Sequence, residues 1–294
     1  MHSLAKGIHR AAHQGSLVKL HPTGRFDNHA VRYSHIEAKP LAAAMGAEIS
    51  GVELARLSDE QFAEIRHALF RHKMIYFRGQ KLTHGEQEQF SLRFGPFAVD
   101  AYTQGVPGHR DVHPLIKEAD DASKMVFGEG WHTDSPFLPE PPSITVLRSI
   151  QVPPFGGDTM WANSALAYRM LSSAYRRMIQ DLRVRFSLRE DLTRKITGNT
   201  HPLIRTHPAT GEKALYVDTS YAIGIEDMLP EESAPIIRFL GEHITQPAFT
   251  CRLRWEPDMV ALWDNRLCVY QAYNDYQGYR RELYRTSVVG EKPA

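Results

Sequence analysis

Apolar positions along the chain change their period several times, and each change predicts an element. Ordered structure is expected from about Ile36, where small apolar residues are punctuated by Gly46 and Gly51. Phe62, Ile65 and Leu69 then recur at the spacing of one helix face, and Ser58 with Gln61 three residues on forms a capping-box pattern at its start. Met74-Ile75-Tyr76-Phe77 is the unbroken run of a buried strand, stopped by Gly79. Thr83 and Glu86 repeat the capping box ahead of a second helix that carries Phe90 and Phe94 and ends at Gly95. Scattered Gly, Pro and Asp predict loop over 97–130. Beyond it, short strands are expected over 144–150, 214–217, 259–263, 268–272 and 284–289, with helices over 165–182 and 231–243. Many short strands with inserted helices predict a mainly β fold with flanking helices, of the sandwich or jelly-roll kind. Strands and helices do not alternate regularly, which argues against a doubly wound sheet. Residues 1–32 have little periodicity and are expected to be an arm. No repeat or Pro/Ser linker divides the remainder, so 33–294 is expected to form one domain.

Composition narrows the function classes. Of 294 residues, 42% are hydrophobic and 23% charged, an ordinary balance for a soluble globular chain. The 35 basic and 34 acidic residues leave a formal charge of +1, with no Lys/Arg block, which excludes a nucleic-acid binder working by bulk electrostatics. No apolar run approaches the roughly 18 residues of a membrane span, and the first fifteen residues lack the apolar centre of a signal peptide. Cys251 and Cys268 are the only cysteines, too few for a disulfide framework or a Cys-rich zinc site. The expectation is a cytoplasmic protein with no membrane or nucleic-acid partner, acting on a small molecule.

The sharpest concentration of chemistry is Trp131-His132-Thr133-Asp134. On an extended segment residues two apart share a face, so His132 and Asp134 present an imidazole and a carboxylate to one point. These are two of the three donors of a two-His, one-carboxylate facial site, which leaves positions on Fe(II) open for a cosubstrate and O₂. Alone the pair has little weight, because a chain with 15 histidines contains chance His-x-Asp pairs.

Further motifs change that weight. Gly156-Gly157-Asp158-Thr159 is followed by Met160-Trp161. Trp263-Asp264-Asn265-Arg266 comes later, then Ala272, Asn274-Asp275-Tyr276 and Arg280-Arg281-Glu282-Leu283-Tyr284-Arg285. Gly46-Ala47-Glu48-Ile49-Ser50-Gly51, Phe94-Gly95-Pro96 and His201-Pro202-Leu203 with Thr206-His207-Pro208 complete the set. In order and spacing these resemble the taurine/2,4-D family of Fe(II)- and 2-oxoglutarate-dependent dioxygenases, from about Ala38 to Pro293. The resemblance implies a double-stranded β-helix, a form of jelly roll. It implies an oxygenase that couples decarboxylation of 2-oxoglutarate to oxidation of a small organic substrate, releasing succinate and CO₂. It places the metal on His132 and Asp134, the distal carboxylate of 2-oxoglutarate on Thr159 and Arg281, and the substrate on Arg285. Relatives commonly form dimers or tetramers, so a homo-oligomer is expected. A planar guanidinium makes two parallel hydrogen bonds to a carboxylate, which suits Arg281, and Arg285 four residues along a strand shares its face. Arg280 is expected at the surface.

Two departures stand out. The family's second histidine falls in this register on Tyr270, and no histidine follows His243; Gln271 beside it points to the opposite face. Three readings stay open. Tyr270 ligates the metal as a phenolate, its ordinary pKa of about 10 lowered by the cation. Alternatively Tyr270 is a bystander, with iron held by His132, Asp134, 2-oxoglutarate and water. In the third, the chain is a catalytically impaired relative that binds 2-oxoglutarate or supports a partner subunit. The second departure is at the substrate end, where taurine-specific members place a histidine shortly after Phe-Gly and this chain has Phe97-Ala98-Val99-Asp100. Asp100 beside the substrate would repel an anion, so taurine is not expected. The stretch between Leu182 and His201 is shorter than in taurine enzymes, which implies a more open site or a lid from a partner chain. Tyr102, Phe137 and Tyr221 are pocket candidates whose commoner role is core packing. Cys268 reads as a small buried hydrophobe, and His207 has no carboxylate at ligand spacing.

Overall fold

Capping sets where the helices begin. In the computed structural model, which describes residues 26, 28–121, 128–188 and 198–294, Ser58 Oγ accepts from the Gln61 N–H at 3.2 Å while the Ser58 N–H donates to Gln61 Oε1 at 3.1 Å. Both halves of the box are present, and α1 runs Asp59–His72. Thr83 and Glu86 repeat the arrangement at 3.2 and 2.7 Å, opening α2 (His84–Leu92). That helix stops before Phe94, one turn short of the expected end. The helix expected over 165–182 is two, α3 (Ser164–Met170) and α4 (Ser173–Ile179). Leu171 turns extended, and Ser172 caps the second by accepting from the Tyr175 N–H at 3.2 Å. The last helix, α5, is Pro230–Ile244, with Glu231 and Glu232 in its first turn, where the dipole favours carboxylates.

The strands are β1 (Glu37–Pro40), β2 (Ala47–Ser50), β3 (Met74–Phe77), β4 (His113–Lys117), β5 (Ile144–Gln151), β6 (Thr159–Asn163), β7 (Arg183–Phe186) and β8 (Asn199–Pro202). They continue with β9 (Ile204–Thr206), β10 (Lys213–Leu215), β11 (Ala222–Ile225), β12 (Thr250–Leu253), β13 (Val260–Asp264), β14 (Cys268–Ala272) and β15 (Arg281–Val288). A seven-stranded sheet has the order β1-β2-β3-β13-β5-β15-β4, and three-stranded sheets β12-β6-β14 and β11-β7-β8 accompany it. β4 lies inside the stretch expected to be loop.

Strict alternation divides the large sheet between two cores. Ile75, Phe77, Ile144, Val146, Val260 and Leu262 face one way, onto Ile65, Leu69 and Phe90 of the two N-terminal helices. Met74, Tyr76, Leu147, Ala261, Trp263 and Leu283 face the other, toward Trp161 and Tyr270 of the β12-β6-β14 sheet. The Trp161 and Trp263 rings meet across this interior at 5.6 Å. Two facing sheets with helices packed around them form the mainly β jelly roll that the resemblance implies. The apolar edge of the interior is the site.

Asn28 falls within the stretch expected to be an arm. Asn28 is buried, donates to the carbonyls of Ala42 and Gly46 at 2.6 and 2.9 Å, and lies 2.6 Å from His72 Nδ1. Asn28 is therefore tied to the folded body: it pairs the Ala42 carbonyl and adds a second donor to the Gly46 carbonyl, which the Leu41 N–H also reaches at 2.8 Å. Residues 1–25 and 27, and 189–197 of the expected substrate cover, lie outside the described residues.

Candidate active site

The site is organised around one short antiparallel bridge. His132 N–H donates to the Tyr270 carbonyl at 2.9 Å and Tyr270 N–H to the His132 carbonyl at 2.8 Å. Residues paired in this way project their side chains to the same face, and the two rings stand 4.2 Å apart. The Tyr270 hydroxyl donates to Asp134 Oδ1 at 2.7 Å. The other carboxylate oxygen, Oδ2, accepts from the hydroxyl of Thr145 on β5. Asn265 donates to that hydroxyl at 2.9 Å and is itself held by Trp263 Nε1 at 3.0 Å. Thr145 and Asn265 thus fix the rotamer of Asp134.

His132 Nδ1 lies 2.8 Å from the Gly130 carbonyl, so this nitrogen carries the proton and Nε2 keeps its lone pair. Burial holds the imidazole below its ordinary pKa, against the pull of Asp134, and it is neutral at pH 7. Burial, reinforced by the Asp134 charge, holds the Tyr270 phenol well above 10; its proton stays in the bond to Asp134. Imidazole nitrogen and carboxylate oxygen are donors of the kind a divalent iron accepts, and the phenol oxygen would join them only on losing its proton. No group of three His, Cys, Asp or Glu among the described residues is placed to hold a metal, and the polar group that stands beside His132 and Asp134 is the Tyr270 phenol.

A second set of residues surrounds a buried guanidinium. Arg281, on β15, is 5% exposed, and its Nε and Nη2 have no hydrogen-bond partner in the protein. Burial lowers its pKa, against the opposing influence of Tyr276 and Asp158. Its guanidinium lies over the ring of Tyr276 at 5.9 Å. The glycines of Gly156-Gly157-Asp158-Thr159 have steric reasons. Gly157 (φ +67°) sits under Arg281, where a Cβ would stand 3.2 Å from Cδ and Nε. At Gly156 (φ +74°) a Cβ would stand 2.5 Å from the Asp275 carbonyl oxygen. Asp275 in turn accepts from the Gly157 N–H at 2.7 Å, and Asp158 accepts from Arg252 at 2.6 Å. Thr159, on β6, accepts at Oγ1 from Trp255 Nε1 at 2.9 Å, which directs its hydroxyl hydrogen elsewhere. A hydroxyl with a hydrogen to donate and a desolvated guanidinium suit a carboxylate. Gly156→Ala is expected to cost about 1–2 kcal/mol for its left-handed backbone alone, with more from the overlap. An unchanged melting temperature would count against this account of the motif.

Arg285 shares the inward face with Arg281 and is equally buried. It contacts Asp100 directly through Nη2, and its Nη1 lies 3.9 Å from Asp134 Oδ1. These carboxylates raise its pKa although burial works against the charge. Tyr102, Phe137 and Tyr221 pack in or against the core, and two of them are also hydrogen-bonded. The Tyr102 hydroxyl donates to that of Tyr221 at 2.7 Å, Phe137 stacks edge-on between them, and Tyr221 lies 6.2 Å from His132. Arg280 is at the surface, paired with Glu118 at 2.9 Å.

His207 corrects one expectation. Its Nε2 lies 3.0 Å from Asp264 Oδ2, a partner distant in sequence and so invisible to spacing. Asp264 also takes Arg266 at 2.7 and 2.8 Å, and the fully buried trio braces the turn that presents Asn265. Cys268 is a buried thiol, as expected, with a pKa raised well above 9 by burial. Sequence reasoning missed Thr145, Asn265 as a positioning residue, and Asp218. Asp218 accepts from the N–H groups of Tyr221, Ser220 and Thr133 at 2.7, 3.0 and 3.4 Å, and burial raises its pKa to about 7. The available signal for Thr145 was a lone hydroxyl inside the apolar run Ile144 to Leu147.

Comparison with known proteins places the chain in a family. Residues 37–287 match the profile described as taurine catabolism dioxygenase TauD, TfdA family. The chain is 34% identical over 279 residues to an alpha-ketoglutarate-dependent sulfate ester dioxygenase of Pseudomonas putida, covering 88% of this chain and 91% of that one. A taurine dioxygenase of Burkholderia xenovorans superposes with a TM-score of 0.80 at 39% identity, over 89% of this chain and 93% of that one. The structure of AAD-2 in complex with Mn(II) and N-oxalylglycine gives 0.79 at 26% identity, over 88% and 99%. The described residues include no helix long and apolar enough to cross a membrane. The chain belongs to the taurine catabolism dioxygenase TauD, TfdA family and is a 2-oxoglutarate-dependent dioxygenase.

Proposed function

We propose that this dioxygenase holds 2-oxoglutarate with Arg281 and Thr159, holds Fe(II) with His132, Asp134 and Tyr270, and hydroxylates a C–H bond of a small organic substrate. The observation that carries the reading is the Arg281 guanidinium, buried beside Gly157 with two nitrogen atoms that the protein leaves unpaired. A desolvated cation of this kind needs an anion. Bound at this site, iron with 2-oxoglutarate and O₂ supplies the oxidising power, with succinate and CO₂ as by-products.

The chain's own residues have separable tasks. His132 offers the Nε2 lone pair because Gly130 occupies Nδ1. Thr145 and Asn265 hold Asp134 in one orientation, and the Tyr270 hydroxyl marks the third donor position. Tyr270 touches the metal in this reading and is therefore a catalytic residue. Arg285 and Asp100 face the substrate, with the Tyr102, Phe137 and Tyr221 rings as the apolar wall beside them. The same reading makes the protein a cytoplasmic homo-oligomer, dimer or tetramer. The relatives lend no support to the impaired-enzyme alternative.

Protein purified without air is expected to contain near-stoichiometric iron and to convert 2-oxoglutarate to succinate. Neither iron nor 2-oxoglutarate affinity in the wild type would overturn the function. Tyr270 has its own test. Oxidised, iron-loaded wild type is expected to show a visible phenolate-to-iron band that Tyr270→Phe lacks, and Tyr270→His is expected to bind iron more tightly than Tyr270→Phe. Identical spectra and iron content in wild type and Tyr270→Phe would remove Tyr270 from the ligand set.

A further inference from the structure

The substrate end of the pocket has an unusual charge balance. Phe97 bridges to Val288, and the Ala98 N–H donates to the Ser287 carbonyl at 2.8 Å. These contacts tie the segment after α2 to the end of β15 and bring Asp100 against Arg285. The carboxylate is fixed there. Its Oδ1 accepts from the Tyr102 and Thr103 N–H groups at 2.8 Å each and from the Thr103 hydroxyl at 3.2 Å. Its Oδ2 contacts Arg285, with His113 Nδ1 at 3.9 Å. Burial alone would raise the Asp100 pKa, but Arg285 and those N–H groups outweigh it and hold the group below its ordinary value. His113 is held below its ordinary pKa by burial and adds no charge at pH 7. The Arg285 guanidinium is thus neutralised by a permanent carboxylate.

We propose that Asp100 determines specificity: by neutralising Arg285 it makes the site select a neutral head group and reject sulfonates, sulfate esters and carboxylates. A head group without charge meets neither member of the closed pair as a like charge. An anion placed on Arg285 would meet the Asp100 charge at close range in a poorly screened interior. This inference rests on the proposed function and names its substrate class, a class different from those in the names of the sulfate ester and taurine relatives.

Calorimetric titration under nitrogen, with protein loaded with Mn(II) and 2-oxoglutarate, tests it with two probes of equal chain length, hexanamide and 1-hexanesulfonate. Wild type is expected to bind the amide at least tenfold more tightly than the sulfonate. Asp100→Asn, which keeps the shape of the side chain, and Asp100→Ala are each expected to gain at least tenfold in sulfonate affinity. Wild type that binds the sulfonate as well as the amide, or that binds neither, overturns the proposal. So do folded variants that gain no sulfonate affinity. If neither replacement folds, the wild-type comparison decides: preference for the amide supports the proposal and any other result overturns it. The heat of 2-oxoglutarate binding, recorded first, reports separately on the function itself. Its absence in the wild type removes that reading, whereas its presence with sulfonate preference removes only the role of Asp100.

Discussion

Arg281→Leu is expected to weaken 2-oxoglutarate binding by about 2–5 kcal/mol, the cost of truncating one member of a buried charge pair, or roughly thirty- to several-thousand-fold. The ligand-free protein should respond in the opposite sense. In it Arg281 is a buried cation whose Nε and Nη2 have no partner, and its lowered pKa records what desolvation costs the charged form. Leucine keeps the apolar stem over Tyr276 and removes that charge, so the melting temperature without ligand should hold or rise. Wild type should then be stabilised by added 2-oxoglutarate in proportion to the logarithm of its concentration, and the variant should not. A variant matching the wild type in affinity and in ligand-induced stabilisation would take Arg281 out of the cosubstrate site.

Asp264→Asn is expected to have the largest effect on stability, about 3–5 kcal/mol, because it breaks a buried pair and leaves the other member charged. Asp264 is fully buried between His207 and Arg266. Burial would raise its pKa, but the Arg266 guanidinium and the His207 hydrogen bond outweigh that and hold it below the ordinary 3.8. A carboxylate depressed by folding adds stability above its unfolded pKa and loses it as pH falls through the folded value. The gap in urea midpoint between wild type and variant should therefore be full at pH 7 and narrow below about pH 4. Equal midpoints at pH 7 would refute the assignment. Iron affinity should fall in the variant as well, since the same turn presents Asn265 to Asp134.

The readable parts of the fold were those whose signal is local. Both capping boxes stand where Ser58/Gln61 and Thr83/Glu86 predict, because donor and acceptor are three residues apart. The apolar run Met74 to Phe77 is a strand because two cores need both its faces. β4 was unreadable for the converse reason. His113-Pro114-Leu115-Ile116-Lys117 is an edge strand of the large sheet, where a proline is tolerated and half the side chains stay partly exposed. β6 was hidden behind the glycines and aspartate that lead into it. In the site, motif order brought His132, Asp134, Thr159 and Arg281 forward, and the fold places each of them on the inward face. Thr145, Asn265 and Asp218 act through partners 11, 131 and 85 residues away, separations that a single sequence does not reveal. The pairing of Asp100 with Arg285 is of the same kind.

The bridge between His132 and Tyr270 is made by backbone atoms alone, and so does not depend on which side chain residue 270 carries. A tyrosine codon becomes a histidine codon by one T-to-C transition at its first base. In this frame a single-base change therefore exchanges a phenol for an imidazole at a fixed place, and no change in loop length or strand register has to accompany it. The donor set is a variable that inheritance can alter in one step, while the rest of the architecture stays constant around it.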